Sequence, residues 1–248
     1  MSLTHKVDSL LSNVHSRLRL PRRSNRRGTY DTIASGYSHG QGQIHPTNFS
    51  ISAHNQPIVE EILQSREVQQ VARFVDQGLQ SYFPKVHRLL TNLTRILQNT
   101  PGLQLKHNFP GSCFAASQYN FTNAATGNHI DFMNGFFLCC AIWNGGKFNP
   151  KLGGHLILWS LGIVVEFPPG ASIIVPSASV VHGNIPIQSD EHRHSVTFFT
   201  AAGILRWYFN NFMNDNEFVA KASPSELAAW RAYKQDLWKL GMKMLCDE

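Results

Sequence analysis

The sequence predicts an α+β protein whose core is a double-stranded β-helix, or jelly roll, with helices packed on the outside of the barrel. Two observations predict this class. Apolar residues recur at helical spacing over residues 57–100, and short β-rich segments separated by Gly, Pro and Asn turns follow from about residue 109. About eight short strands at this spacing are typical of a jelly roll, and the apolar stripes of the helices must be buried against its outer surface.

The composition indicates one packed core. The chain has 248 residues, of which 42% are hydrophobic and 15% charged, and this excludes general disorder. It contains no apolar run of about 18 residues and no secretory signal pattern, so we expect an intracellular protein with no membrane contact. Two of its four cysteines, Cys139 and Cys140, are adjacent in an apolar run. Adjacent strand residues face opposite ways, which predicts two core thiols rather than a disulfide, in a reducing compartment.

Positive charge is concentrated at the N-terminus. Residues 1–27 contain seven Lys/Arg and one Asp, whereas the rest of the chain balances 15 basic against 15 acidic residues. Residues 28–55 are rich in Gly, Ser, His and Asn, so residues 1–55 are predicted to form a basic, loop-rich arm. This arm is either a solvated tail or a segment that neutralises nucleic-acid phosphates. The arginines available for phosphate contact are Arg17, Arg19, Arg22, Arg23, Arg26 and Arg27.

The remaining chain, residues 56–248, is predicted to be a single domain. Its helices occupy 57–100 and begin at Pro57, which suits a first helical position. The jelly-roll core spans about 109–212. A last helix spans about 224–246 and starts at a Ser-Pro-Ser-Glu capping pattern over 223–226. Residues 206–212 either continue the last strand or begin a return segment.

A candidate metal site lies within residues 127–195. His129 and Asp131 are two residues apart, so in a strand they point to the same face, and His182 can join them from a facing strand. Two histidines and one carboxylate form a facial triad that leaves coordination positions open. Such ligands suit Fe(II), Mn(II) or Zn(II), so they do not name the metal by themselves.

Arg193 is the only arginine between residues 96 and 205. In a strand it shares a face with Ser195, while its neighbours His192 and His194 point away. A buried arginine needs an anion, since an unpaired buried charge costs several kcal/mol. We expect this anion to be a bound carboxylate; the alternative is an internal partner, Asp190 or Glu191.

These residues resemble a known group. The pattern His-x-Asp…His…Arg-x-Ser of the 2-oxoglutarate- and Fe(II)-dependent dioxygenases is matched by His129, Asp131, His182, Arg193 and Ser195. Residues 182–207 look like the TET/JBP branch, and in particular its fungal members, which oxidise methylated nucleobases. The resemblance covers roughly residues 110–210. It implies Fe(II), 2-oxoglutarate as cosubstrate and O2. The implied reaction is hydrogen abstraction from the methyl group of 5-methylcytosine or N6-methyladenine in DNA, with the base flipped out of the duplex. A nuclear location follows, and no protein partner is indicated.

The resemblance also implies roles for individual residues. His129, Asp131 and His182 would be the catalytic metal ligands, and Arg193 and Ser195 would hold the far carboxylate of 2-oxoglutarate. Tyr119 and Asn120 reach either this cosubstrate or the barrel lining, and Tyr119 is assigned to cosubstrate binding. Predicted substrate contacts come from two aromatic rings and from an amide that stands where 5-methylcytosine oxidases often carry an acid: Phe132, Phe199 and Asn134.

Two other functions compete with this one. The first is a dioxygenase that acts on a protein or a small molecule, which the neutral charge of residues 28–248 favours. The second is a non-catalytic, cupin-like metal-binding module. Arg193 and Ser195 argue against the second, because a simple metal-binding barrel needs no group that holds a dicarboxylate.

Overall fold

Two antiparallel sheets form the centre of the computed structural model, which describes residues 1–21 and 28–246. The strands are β1 (Asp31–Ser38), β2 (Thr47–Asn48), β3 (Ala116–Phe121), β4 (Cys140–Lys147), β5 (Leu156–Leu158), β6 (Ile163–Val165), β7 (Ser172–Val175), β8 (His182–Asn184) and β9 (His192–Phe199). The larger sheet has the order β2-β1-β3-β9-β4-β7, and the smaller sheet has the order β6-β5-β8.

The smaller sheet is extended by the segment that contains His129. His129 and His182 form an isolated antiparallel bridge, in which each backbone N–H donates to the other's carbonyl oxygen, at 3.0 and 2.9 Å. This segment therefore lies beside β8 and completes a four-stranded layer opposite β3, β9, β4 and β7. From β3 onward the chain passes from one layer to the other at each step except between β5 and β6, which pair within the smaller sheet. The predicted α+β class with a double-stranded β-helix core is therefore confirmed.

Helices cover the outer face of the larger sheet. The α-helices of the described residues are α1 (Leu3–Arg17), α2 (Gln56–Gln64), α3 (Arg66–Tyr82), α4 (Pro84–Gln98), α5 (Ala202–Phe209), α6 (Asp215–Lys221) and α7 (Pro224–Leu245). Helices α1 and α3 contact β4, and α7 packs on α4. Leu79 of α3 and Leu90 of α4 share one buried cluster with Trp143 and Phe198 of the larger sheet. Burying each such side chain stabilises the fold by about 1.5–3 kcal/mol.

A second, smaller apolar cluster lies between the two sheets, where Leu156, Phe167 and Val175 are buried. Cys140 belongs to this inner cluster, whereas Cys139 belongs to the cluster under the helices. Both cysteines are buried and free, as the sequence predicted. Among the helices of the described residues, none combines the length and apolarity that a membrane span requires.

The prediction of a loop-rich N-terminal arm was wrong for two segments. Residues 3–17 form helix α1, capped by the Ser2 side chain, and residues 31–38 form strand β1, which pairs with β3. Val7, Leu11 and Val14 of α1 have no solvent exposure. They are four and three residues apart, so they form one helical stripe that packs on the larger sheet.

Several polar contacts fix α1 to the rest of the chain. The Asp8 carboxylate lies 3.1 Å from His192 Nε2, and His15 Nε2 lies 2.8 Å from Asp31 Oδ2. At the end of the helix, Arg17 Nη2 lies 2.7 Å from Glu61 Oε2. Helix α1 is therefore an integral part of the domain.

The segment after the last strand is helical. Residues 202–209 form helix α5, so the alternative that residues 206–212 continue the last strand is wrong. Gly203, Ile204, Leu205 and Trp207 of this helix are buried. Helix formation lets adjacent apolar residues share one buried side, which an extended strand would place on opposite faces.

Candidate active site

His129, Asp131 and His182 converge on one point, with one ligand atom from each residue lying within 4.8 Å of the others. His129 Nε2 is 3.7 Å from Asp131 Oδ1, and His182 Nε2 is 4.0 Å from Asp131 Oδ2. The backbone bridge between His129 and His182 sets the two imidazoles side by side, with ring centroids 4.4 Å apart. The three side chains are 5–14% exposed.

Backbone carbonyls fix the orientation of both imidazoles. His129 Nδ1 lies 2.8 Å from Gly127 O, and His182 Nδ1 lies 2.8 Å from Val180 O. Because a carbonyl oxygen can only accept, each Nδ1 carries the proton, and each Nε2 presents a lone pair. Two lone pairs and a carboxylate thus face a common point. This donor set suits a divalent cation, and the Nδ1 bonds are the usual outer support of metal-binding histidines.

A cavity of about 160 Å³ extends from these three side chains into the barrel. Its other lining residues come from the inner faces of both sheets and from the loop after β3. Among them are Gln118 and Asn120 on β3, Arg193, Ser195, Thr197 and Phe199 on β9, and Asn184 on β8. The sequence predicted that Arg193 and Ser195 share a face, and the structure confirms it.

The Arg193 guanidinium is buried, with 4% exposure. Its Nη1 donates to Ala124 O at 2.8 Å, and its Nε has no hydrogen-bond partner among residues 1–21 and 28–246. No carboxylate of the described residues forms a salt bridge with it. Glu191 instead accepts from the backbone N–H groups of Asn149 and Gln188, so the predicted alternative of an internal acidic partner is not formed. Burial lowers the pKa of Arg193 to about 10, which leaves it charged at neutral pH.

Ser195 lines the same cavity as Arg193, and Asn120 orients its side chain. Asn120 Nδ2 donates to Ser195 Oγ at 3.1 Å, and Asn120 Oδ1 accepts from Thr32 and Gln118. Since the Ser195 oxygen already accepts a hydrogen bond, its own O–H can donate to a ligand in the cavity. The register of β3 on β9 pairs Asn120 directly with Ser195, which explains their contact.

The assignment of Tyr119 to cosubstrate binding was wrong. Tyr119 pairs with Val196, belongs to the cluster under the helices and has no solvent exposure. Its hydroxyl accepts from Ser117 Oγ at 3.1 Å. Because side chains alternate along a strand, Asn120 faces the cavity and Tyr119 cannot. Sequence reasoning left these two neighbours open, and the face shared with Ser195 decides between them.

The three predicted substrate residues differ in position. Phe199 and Asn134 line the cavity, and the Asn134 amide donates to Ser177 Oγ at 3.1 Å. Phe132 follows Asp131 in sequence, is 58% exposed and does not line the cavity. Met133, which lies between Phe132 and Asn134 in sequence and was not predicted as a site residue, also lines the cavity.

Of the six arginines predicted to contact nucleic acid, the structure describes Arg17 and Arg19. Arg17 ends helix α1 in an ion pair with Glu61. Arg19 is exposed, and its backbone N–H donates to Asn55 Oδ1. Arg22, Arg23, Arg26 and Arg27 lie outside the described residues.

Behind the cavity, His192 and His194 point away from Arg193, as predicted, and contact helix α1. His194 Nε2 lies 3.0 Å from Ser12 Oγ and 3.6 Å from Asp8 Oδ1. Burial lowers the pKa of His194 to about 4, the nearby His192 and His15 act in the same direction, and Asp8 opposes them. His194 is therefore neutral at pH 7.

The fold and the arrangement of the cavity place this chain among double-stranded β-helix proteins. NgTET1 in complex with 5mC DNA has a similar structure, with a TM-score of 0.58 and 15% identity over 80% of this chain and 69% of that one. A 2OG-Fe(II) oxygenase family oxidoreductase from Burkholderia pseudomallei has a TM-score of 0.40 and 17% identity, over 76% of each chain. A Pseudomonas putida prolyl-4-hydroxylase has a TM-score of 0.41 and 17% identity, over 80% of this chain and 87% of that one. No protein-family model and no curated protein sequence matches the chain.

Proposed function

We propose that this protein is an Fe(II)- and 2-oxoglutarate-dependent dioxygenase. One observation carries the proposal. A single cavity is lined by three convergent metal-ligand side chains and by a buried arginine that has no carboxylate partner among the described residues. A metal-binding barrel alone gives no reason for that arginine, whereas a dicarboxylic cosubstrate of the metal does.

His129, Asp131 and His182 would hold the metal. Two neutral imidazoles and one carboxylate with further positions open form the donor set of non-haem Fe(II) oxygenases. When bound, Fe(II) with 2-oxoglutarate supplies the activation of O2 that oxidises a substrate methyl group. The protein supplies ligands held by the Gly127 and Val180 carbonyls, and it limits water access to the metal, since the three side chains are at most 14% exposed.

Arg193 and Ser195 would bind the far carboxylate of 2-oxoglutarate. The planar guanidinium can donate two parallel hydrogen bonds to a carboxylate, and the Ser195 hydroxyl can donate a third. The cavity volume of about 160 Å³ suits a small acid, because drug-sized ligands need roughly 300 Å³ or more. Binding an anion here would also compensate the burial of the Arg193 charge.

The proposed substrate is a methylated base in DNA, 5-methylcytosine or N6-methyladenine. Support comes from the TET/JBP resemblance of residues 182–207 and from the fold shared with NgTET1, which was solved with 5mC DNA. Phe199 on the cavity wall and exposed Phe132 beside the metal ligands offer aromatic faces for a base. Because the ligands are recessed in the barrel, the base must leave the duplex to reach them. A nuclear location is part of the same proposal.

Product analysis by mass spectrometry tests this proposal. Protein supplied with Fe(II), 2-oxoglutarate and ascorbate is given DNA containing 5-methylcytosine or N6-methyladenine, with His182→Ala as the control variant. We expect an oxidised or demethylated base with the wild-type protein only. Succinate formation without a change in either base would support the oxygenase activity and indicate that the substrate is RNA, a protein or a small molecule instead. The absence of both products would leave a non-catalytic metal-binding module.

A further inference from the structure

The loop that follows β3 makes the direct contact with Arg193. Residues 122–128 form no regular helix or strand, yet Ala124 is buried with 3% exposure. The Ala124 carbonyl accepts from Arg193 Nη1 at 2.8 Å. The direction of the guanidinium therefore depends on where this loop holds one carbonyl oxygen.

Asn184 fixes that loop to strand β8. Its Nδ2 donates to Ala124 O at 2.8 Å, so Ala124 O is shared between the Asn184 amide and Arg193. Its Oδ1 accepts from Thr126 N at 3.0 Å and from Thr126 Oγ1 at 2.7 Å. A backbone bond from Asn184 N to Thr126 O, at 3.1 Å, adds to these. One side chain thus satisfies both ends of the segment 124–126.

The residue before Asn184 allows the loop to approach. A Cβ on Gly183 would lie 2.8 Å from Thr126 O, which is closer than side chains tolerate, and 3.1 Å from Gly127 O. His182, Gly183 and Asn184 therefore act together: the first is a predicted metal ligand, the second admits the loop, and the third holds it.

We propose that Asn184 is a positioning residue for cosubstrate binding, acting on Arg193 through the Ala124 carbonyl. This inference rests on the proposed function. The Asn184 side chain has its strongest hydrogen bonds to the loop, and it faces the cavity two residues from His182 on the same strand. Without it, Ala124 O loses its second donor and the loop loses its attachment, so Arg193 is no longer directed towards a carboxylate in the cavity.

Calorimetric binding to protein saturated with Mn(II), which cannot support turnover, tests this role. The probes are 2-oxoglutarate and 2-oxobutanoate, a keto acid without the far carboxylate. For Asn184→Ala we expect about 10- to 100-fold weaker binding of 2-oxoglutarate, the usual effect of losing such an outer contact. Binding of 2-oxobutanoate should not change, because it does not use Arg193. A purely structural role of Asn184 would weaken both acids equally, and that result overturns the inference.

Two further variants complete the test. Asn210→Ala is the matched control, since Asn210 is also buried, at 1% exposure, and its amide bonds Asp215 and Trp230 away from the cavity. It should bind both acids as the wild type does. If Asn184→Ala does not fold, Asn184→Asp keeps the acceptor for Thr126 but loses the donor to Ala124 O, and should weaken 2-oxoglutarate selectively. Unchanged 2-oxoglutarate binding in the Asn184 variants overturns only this inference, whereas a wild type that binds neither Mn(II) nor 2-oxoglutarate overturns the proposed function as well.

Discussion

A buried guanidinium without a carboxylate partner destabilises the unliganded protein, and Arg193 is in this position among the described residues. We expect Arg193→Met to keep or raise the free energy of unfolding, by about 1–3 kcal/mol, since replacing buried ions by apolar residues is often stabilising. The same variant should lose most of the thermal stabilisation by 2-oxoglutarate and keep only the part that a keto acid without the far carboxylate, such as 2-oxobutanoate, also gives. Thermal unfolding with Mn(II), with and without 2-oxoglutarate, measures both effects. Exposed Arg88→Met is the control. An Arg193→Met protein that 2-oxoglutarate stabilises as much as it stabilises the wild type contradicts the cosubstrate role.

His194 should make the stability of the protein depend on pH. Its folded-state pKa is about 4, below the ordinary value of 6.5, so the unfolded chain binds more protons between these values. The stabilisation is complete above about pH 6.5 and is lost as the pH falls towards 4. Between pH 7 and pH 5 the loss should be about 2 kcal/mol. Urea unfolding at both pH values should show a smaller loss of stability for His194→Gln than for the wild type. An equal loss would show that His194 does not cause the pH dependence. The control is His5→Gln, on the exposed side of α1, which should behave as the wild type.

Residue-level prediction from the sequence succeeded where strand alternation was decisive. It correctly placed Arg193 and Ser195 on one face of β9 and His192 and His194 on the other. Residues that line the cavity alternate along this strand with residues that contact helix α1. It failed for Tyr119, since β3 carries polar side chains on both faces, and its pattern does not show which face is the inner one. Only the register of β3 on β9 supplies that information. The contact of Asn184 with the loop at 124–126 is also invisible in the sequence, because 58 residues separate Asn184 from Thr126.

At the scale of elements, helix α1 was not predicted because its composition is typical of an exposed segment. Arginines and leucines alternate near its end, which resembles a solvated tail, although Val7, Leu11 and Val14 already have helical spacing. The partners of this stripe lie on distant strands, so its burial could not be predicted locally. The helices at 56–98 and 224–245 were easier to predict, because Pro at a first turn and a Ser-x-x-Glu capping box mark their starts.

The packing of α1 predicts a large effect of a single substitution. Leu11→Ala should lower the free energy of unfolding by about 2–5 kcal/mol, because it opens a cavity at a site with no solvent exposure. Leu3→Ala, at 39% exposure on the same helix, should cost much less. Denaturant unfolding of both variants measures the difference. Equal stabilities would show that α1 does not pack on the sheet in solution.

At the scale of the whole molecule, the basic N-terminal segment can be tested without removing α1. Replacing four arginines by glutamine should reduce the salt dependence of DNA binding, because each phosphate contact contributes about 0.9 to the logarithmic slope. The positions are Arg22, Arg23, Arg26 and Arg27. The control removes four exposed arginines from helices α3 and α4, namely Arg66, Arg73, Arg88 and Arg95. We expect the slope to fall by up to about 4 in the first protein only. An equal change in both proteins would indicate a general charge effect and refute a phosphate-binding role of this segment.

The central claim is that the two ends of the cavity serve one reaction, in which 2-oxoglutarate is consumed at a metal held by His129, Asp131 and His182. Succinate formation from 2-oxoglutarate, measured by mass spectrometry with Fe(II) and O2, tests it most directly. We predict succinate from the wild-type protein and none above background from Asp131→Ala or Arg193→Met. Wild-type protein that binds Fe(II) but forms no succinate, with or without methylated DNA, would contradict the claim.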